Sequence, residues 1–453
     1  MKSSKFRRTL IATSLCLAAG QIQAETVNLQ QAVELSLAAD PRIKESEQLV
    51  EAARGLLQEA QGHNGLRIKV NAFVGLAPEV SGGFYQGGAT SGVTPRSDGN
   101  ANNGVSDWTS LEFSIIKPLY TFGKVERYSE AAQGNIEIKQ GDLGKTKADT
   151  VYETKRAYFG YLTARDLRVF LEDMKSRLGL SIGSVEKALK DETGEARQSD
   201  LYSLQSARAL IGKYVLQARA VEKISLDGLK VLTGVGLNAD LQVSDDRLEP
   251  VPFPLTQLAE LQARSLQVRP EMQQLEAGLR SRRALVAAKK ADRMPDIYAG
   301  VVGLANYASN RDSLDNPHVF DPFNNYGITP VVGVRWDNVF AVEDAKVNQA
   351  QAELEALNHK KAFALLGIPY EVSEAYANAQ ANYASQKELA EGSAAARHWM
   401  VATLADYSAG LEGGDKVAEA ARNYALTQTE YLRTINDYNM NIAQLVRLSG
   451  DFK

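Results

Sequence analysis

The sequence predicts a mostly α-helical chain that also contributes four strands to a membrane β-barrel and is built from two tandem copies of one module. Three observations predict this. First, the chain reads twice. Asp40-Pro41-Arg42-Ile43 through Gly75-Leu76 returns as Arg269-Pro270-Glu271-Met272 through Gly303-Leu304, and Val151-Tyr152-Glu153 with Ala157-Tyr158 returns as Pro369-Tyr370-Glu371 with Ala375-Tyr376. Leu232-Thr233-Gly234 closes the first copy as Leu448-Ser449-Gly450 closes the second, and tandem copies imply a pseudo-symmetric body. Second, helical runs rich in Ala, Gln, Glu, Lys and Leu extend well beyond ordinary globular lengths. Third, segments of about ten residues alternate apolar and polar side chains, the period and length of strands that cross an outer membrane.

The N-terminus carries Lys2, Lys5, Arg7 and Arg8, then an apolar run from Thr9 to Gly20, then Ile22-Gln23-Ala24 before Glu25. That is the pattern of a Sec-type signal peptide over 1–24, too short in its apolar part for the roughly 20 residues that span a bilayer. The single cysteine, Cys16, falls within it, so the mature chain is expected to hold no thiol and no disulfide. The two copies then occupy 25–245 and 246–453. The chain has 453 residues and a formal net charge of −4, which argues against a nucleic-acid partner. Beyond residue 24 no uninterrupted apolar run is long enough for a transmembrane helix, so a membrane location requires strands.

Each copy follows one plan: helix, strand, long loop, strand, very long helix, tight tip, helix. Helices are expected at 29–62, 124–192 and 199–232, and again at 255–293, 343–409 and 416–449. At 1.5 Å per residue the long ones reach roughly 100 Å and the short ones roughly 50 Å, proportions of a tube wall. In the last helix Val417, Tyr424, Tyr431, Tyr438 and Leu445 form a seven-residue stripe, accompanied by Ala421, Gln428, Ile435 and Ile442, so the tyrosines are expected at packing seams. Pro369 is expected to kink or interrupt the second long helix.

The first strand covers 66–76, with Leu66, Ile68 and Val70 on one face and Arg67, Lys69 and Asn71 on the other. Leu111, Phe113 and Ile115 alternate with Ser110, Glu112 and Ser114 in the second, and Tyr326, Ile328, Val332, Val334 and Trp336 share a face of the fourth. The third, 297–307, alternates poorly and is placed by its position in the repeat. Trp108, Tyr120, Phe122, Tyr307, Tyr326 and Trp336 stand at strand ends, where an interfacial aromatic girdle would lie. Polar insertions at 77–107 and 308–325 read as surface loops at one end.

Four strands cannot close on themselves in hydrocarbon, because a barrel needs about eight to leave no unpaired edge. Chains must pool strands: two would give a filled minimal barrel and three about twelve strands with a wider lumen. Arg67, Lys69, Glu112 and Arg335 on the wet faces are then the candidate lumen residues.

This arrangement resembles the TolC family of outer-membrane efflux proteins across essentially the whole mature chain. The resemblance is carried by Leu29-Gln30-Gln31-Ala32 leading to Asp40-Pro41, by Lys117-Pro118-Leu119-Tyr120-Thr121-Phe122-Gly123 at a strand-to-helix junction, and by turns at Gly194 and Gly410. It implies a homotrimer with a twelve-stranded barrel in the outer membrane of a Gram-negative bacterium and a long α-helical barrel in the periplasm. It further implies a passive exit duct that docks to a periplasmic adaptor and an inner-membrane pump. The helix tips then form a periplasmic entrance, with Gly194, Gly410 and Glu412 as candidate adaptor contacts. Family members ring the constriction with acidic residues a few positions past the second glycine. Here those positions are Lys416 and Glu419, with Asp415 adjacent and Asp200 in the corresponding region of the first copy. The lysine departs from the family pattern, and acidic side chains at a helix start also suit the helix dipole.

Catalysis finds no footing in the sequence. His63, His318, His359 and His398 lack ligand spacing, and no nucleophile elbow, phosphate loop or calcium loop occurs, so no cofactor or metal is expected. Two rivals stay open: a soluble periplasmic coiled-coil adaptor or scaffold, and a secreted hydrolase on a helical frame. The cargo is not encoded in any of these features.

Overall fold

The computed structural model describes residues 25–79, 104–191, 196–252, 257–311 and 320–450, together with the backbone of 85–86 and 94–95. The expected signal segment with Cys16, the tip residue Gly194, His318 and most of the two polar insertions lie outside the described residues. The first half runs β1 (Glu25–Val27), α1 (Leu29–Ala39), α2 (Pro41–Gly62), β2 (Arg67–Pro78), β3 (Tyr85–Gln86), β4 (Thr94–Pro95), β5 (Val105–Tyr120), α3 (Lys124–Lys190) and α4 (Gln198–Thr233). The second runs β6 (Leu241–Val243), α5 (Leu258–Val268), α6 (Pro270–Ala291), β7 (Asp296–Ala308), β8 (Asn325–Arg335), α7 (Phe340–Ser408) and α8 (Gly414–Ser449). Apart from the small β3–β4 pair, the second half repeats the element order of the first.

The chain divides into two compact units, each drawing on both halves. One comprises residues up to Lys44, Lys145–Val268 and Ile368–Lys453; the other comprises Glu45–Gly144 and Arg269–Gly367. The first unit is helical. Leu171, Met174 and Leu178 of α3, Leu204 and Ile211 of α4, and Val417, Ala418 and Ala421 of α8 are all buried in one cluster, the alanines letting helix backbones approach closely. In α8, Val417, Tyr438 and Leu445 are buried with Ala421, Ile435 and Ile442, as coiled-coil spacing requires, and Tyr438 donates to the Val251 carbonyl at 2.9 Å. A second cluster joins Val27, Tyr158, Leu162, Leu229 and Ile435. It sits beside a parallel pairing of β1 with β6, too short to be read from a period.

Two corrections concern prolines. The single helices expected at 29–62 and 255–293 are each broken in two, because Pro41 and Pro270 lack an N–H and force Asp40 (ψ 115°) and Arg269 (ψ 133°) into extended backbone. Asp40 turns the break into a joint: its carboxylate accepts from the Arg42 backbone at 2.9 Å, the Arg42 guanidinium at 2.8 Å and the Thr150 hydroxyl at 2.6 Å. Burial pushes the Asp40 carboxyl upward, but these donors outweigh it and hold the pKa at about 2. Pro369, by contrast, does not interrupt α7. The acceptor that it frees, the Leu365 carbonyl, belongs to a residue open to water. The repeated Leu-Thr-Gly and Leu-Ser-Gly signatures prove to be C-caps: Gly234 (φ 74°) and Gly450 (φ 77°) end α4 and α8 in left-handed backbone.

The second unit is built around a four-stranded antiparallel sheet in the order β2-β5-β7-β8. Its strands are Arg67–Pro78, Val105–Tyr120, Asp296–Ala308 and Asn325–Arg335, so all four expected strands are present and the second is longer than its alternation suggested. The third alternates poorly because Val302 and Leu304 occupy the otherwise polar face.

Candidate functional site

Residues paired directly across an antiparallel ladder share a face, so the register sorts the sheet into two surfaces. One holds Ile68, Val70, Val74 and Leu76 of β2, Leu111 of β5, and Ile328, Val332 and Val334 on the last strand. All are exposed, Val74 and Val332 by 76% and 77%. Tyr307 and Tyr326 stand on this face at the loop end, and Tyr120 and Trp336 at the helix end, all four exposed. A water-facing sheet would bury such a surface, whereas hydrocarbon between two headgroup layers calls for an apolar band with aromatic borders.

The opposite face carries Arg67, Lys69, Asn71, Glu112, Ser114 and Thr329, and Asn71 Nδ2 lies 3.4 Å from Glu112 Oε2. Lys69 and Glu112 border a cavity of about 380 Å³. Arg335 joins the same face at the helix end, 3.7 Å from Asp296, whose other oxygen is 2.8 Å from Lys124. The structure thus brings the four candidate lumen residues onto one surface. Trp108 is a correction. It belongs to this polar face, opposite Gly75, and its ring stacks edge-on to Phe73 at 4.8 Å and Phe323 at 5.3 Å instead of pointing outward.

In the helical unit, the reversals between α3 and α4 and between α7 and α8 come together around a cleft of about 800 Å³. It is bordered by Asp200, Tyr407, Gly410, Glu412, Asp415 and Lys416. Gly410 reverses the chain in left-handed backbone at φ 74°. Asp200 is buried: its carboxylate accepts from the Arg197 backbone at 3.1 Å, satisfying an otherwise orphaned donor at the start of α4. Gly414 packs directly on it, since a Cβ there would stand 2.6 Å from the Asp200 Cβ. Tyr407 has its phenol pKa raised, first by burial and then by the Asp200 charge.

Lys416 and Glu419 are exposed and paired at 3.1 Å, one turn apart on α8. Glu419, by that hydrogen bond and its charge, raises the Lys416 pKa, with Asp415 and Glu412 adding to it. Arg197 and Ser184, which also border the cleft, carry no sequence signal that would have singled them out. Among the described residues no group of three or more His, Cys, Asp or Glu side chains has the geometry to hold a metal ion, and no helix is long and apolar enough to cross a membrane.

Residues 261–451 match the family model described as outer membrane efflux protein. No curated protein is significantly similar to the chain in sequence. Among solved structures, the outer-membrane channel OprN is similar at TM-score 0.72 and 18% identity, over 93% of this chain and 89% of that one. The outer membrane protein VceC of Vibrio cholerae gives a TM-score of 0.71 at 14% identity, over 93% and 96% of the two chains. The open-state outer membrane channel MtrE of Neisseria gonorrhoeae gives 0.68 at 15%, over 93% and 88%. The likeness to these structures is one of fold, and the family match extends it to sequence in the second half. The resemblance to outer-membrane efflux proteins read from the repeats therefore stands.

Proposed function

Because residues 261–451 match the outer membrane efflux protein family and 93% of the chain shares the fold of an outer-membrane channel, we propose that the protein is a channel for efflux in the outer membrane of a Gram-negative bacterium. The observation that carries this reading is the exposed apolar face of the four-stranded sheet, bordered at both ends by exposed tyrosine or tryptophan. The same face disfavours a soluble scaffold, which would have to cover it.

The sheet has two free edges, the outer sides of β2 and β8, and an open edge is not tolerated in hydrocarbon. The strands alternate in direction, so β8 of one chain meets β2 of the next antiparallel, and any number of copies closes with a uniform pattern. Three copies supply twelve strands and a lumen lined by Arg67, Lys69, Glu112 and Arg335. The chain performs no chemistry in this role. Its driving force comes from an inner-membrane pump coupled through a periplasmic adaptor, which contacts Gly194, Gly410 and Glu412 at the tips. Residues 1–24 serve as the export signal.

At the periplasmic entrance, Asp415 and Glu419 are the constricting carboxylates and Asp200 anchors the turn beside them. Symmetry places like charges together and attracts cations, but Lys416 offsets part of that charge in every copy. The full-length protein, purified in detergent, is expected to have the molar mass of three chains and to give discrete conductance steps in planar lipid bilayers. A monomer that stays in solution without detergent refutes the channel. Neutral variants of Asp415 and Glu419 are expected to change cation block; unaltered currents from both remove these residues from the gate.

A further inference from the structure

The polar face of the sheet is open in its middle and closed at its loop end. Lys69, Asn71 and Glu112 are exposed, yet Ala77, Ser106, Ser110 and Ala308, on the same face toward the loops, are at most 5% exposed. The chain just before β8 reaches over this end of the face. Asn306 Nδ2 donates to the Pro322 carbonyl at 3.1 Å, and the Phe323 ring meets Trp108, so residues 322–323 lie over the polar face.

This fold is pinned. Arg311 and Asp321 pair at 2.7 Å with side chains 5% and 3% exposed. The Arg311 guanidinium also donates to the Pro78 carbonyl at the end of β2 at 2.8 Å and stands 4.9 Å from the centre of the Phe323 ring. Asp321 Oδ1 accepts from the Phe323 backbone at 3.0 Å, and Asn324 accepts from the Ala308 backbone at 2.8 Å. A buried ion pair with every partner supplied holds one geometry, and removing one member leaves the other charge stranded.

We propose that residues 320–324 form a fixed inward fold that narrows the loop-end mouth of the lumen, with Phe323 and Trp108 as the side chains that set the largest cargo able to leave. The inference rests on the polar face being the lumen. Each copy in a closed barrel would add one such aromatic wall to the outer mouth. The filter acts on size, because the two side chains that line it are aromatic and the Arg311 and Asp321 charges that hold it are paired with each other.

Cys16 is the only cysteine and lies in the expected signal segment, so an introduced thiol is unique in the mature chain. An Asn71→Cys reporter, on the open middle of the polar face beyond the inward fold, is exposed in intact cells to a compact sulfonated maleimide or to a bulky polyethylene glycol maleimide. The compact reagent is expected to label it and the bulky one to be excluded. Adding Phe323→Ala, which removes no polar partner, should raise the bulky reagent's rate severalfold, and Asp321→Asn should do the same by releasing the fold. Equal rates for both reagents in the parent, no gain from Phe323→Ala, or no labelling in any variant overturns the inference. A Val332→Cys reporter on the apolar face separates the two readings. If that thiol reacts readily with the sulfonated reagent in cells, the face is not in lipid and the channel itself is refuted.

Discussion

The core of the helical unit and the sheet of the other unit treat apolar side chains in opposite ways. In the helical unit Leu204, Ile211 and Ile435 are at most 1% exposed, while on the sheet of the other unit Val74, Ile328 and Val332 are at least 70% exposed. Hydrophobicity by itself therefore says little about where a residue sits. The difference is one of solvent: helices that pack on helices hide their core stripes from water, and a sheet whose apolar face is left open by the described residues presents that stripe to a medium that accepts it.

The sharpest test of that contrast is a pair of substitutions, one in each environment. Leu204→Ala removes packing in the helical cluster and is expected to cost about 2–5 kcal/mol, read by chemical denaturation of the detergent-solubilised protein. Val332→Arg leaves all internal contacts intact yet is expected to cost about 2–4 kcal/mol in a bilayer, seen as a loss of assembled protein from the outer-membrane fraction. Asn71→Arg, on the other face of the same sheet, should assemble normally. If Val332→Arg is as harmless as Asn71→Arg, the two faces do not differ in solvent and the comparison fails.

A smaller effect sharpens the helical side. The Asp40 carboxyl has a folded pKa of about 2 against an ordinary 3.8, a difference equivalent to about 2 kcal/mol. A depressed carboxylate contributes fully above its unfolded value and loses that contribution as the pH falls through the folded one. Asp40→Asn should therefore be less stable than the parent at neutral pH, and thermal melts of the two should converge as the pH drops from about 4 to about 2. The smallest expected change is at the exposed Lys416–Glu419 pair. Lys416→Ala should leave melting unaltered, since exposed pairs add little, while increasing cation block in single-channel records by baring the carboxylates.

Three of the four strands were legible because alternation is a local property, the third only through the repeat, and Arg67, Lys69, Glu112 and Arg335 fell on one face because a period of two admits a single assignment once pairing is antiparallel. The heptad of α8 was legible for the same kind of reason. The breaks at Pro41 and Pro270 carry their signal in the sequence, since each proline lacks an N–H and holds its predecessor extended. Trp108 stands at a strand end, but parity decides its face: as an even-numbered residue in a strand whose polar members are Glu112 and Ser114, it belongs to the polar face.

Nothing local tied Asp200 to Gly414 or Arg311 to Asp321 and Pro78. Those contacts join residues far apart in the chain or across an insertion, and they exist only once turns and strand ends have been brought together.

Periodicity and the repeat were enough to define the long helices and the four strands of the sheet, how each copy of the module is ordered and which strand face is polar, since these depend on neighbours within a few residues or on the copy beside them. Burial of Asp200, the arrangement of charges around the tip cleft and the inward fold held by Arg311 and Asp321 arose from packing alone. They depend on distances between segments that no local pattern encodes.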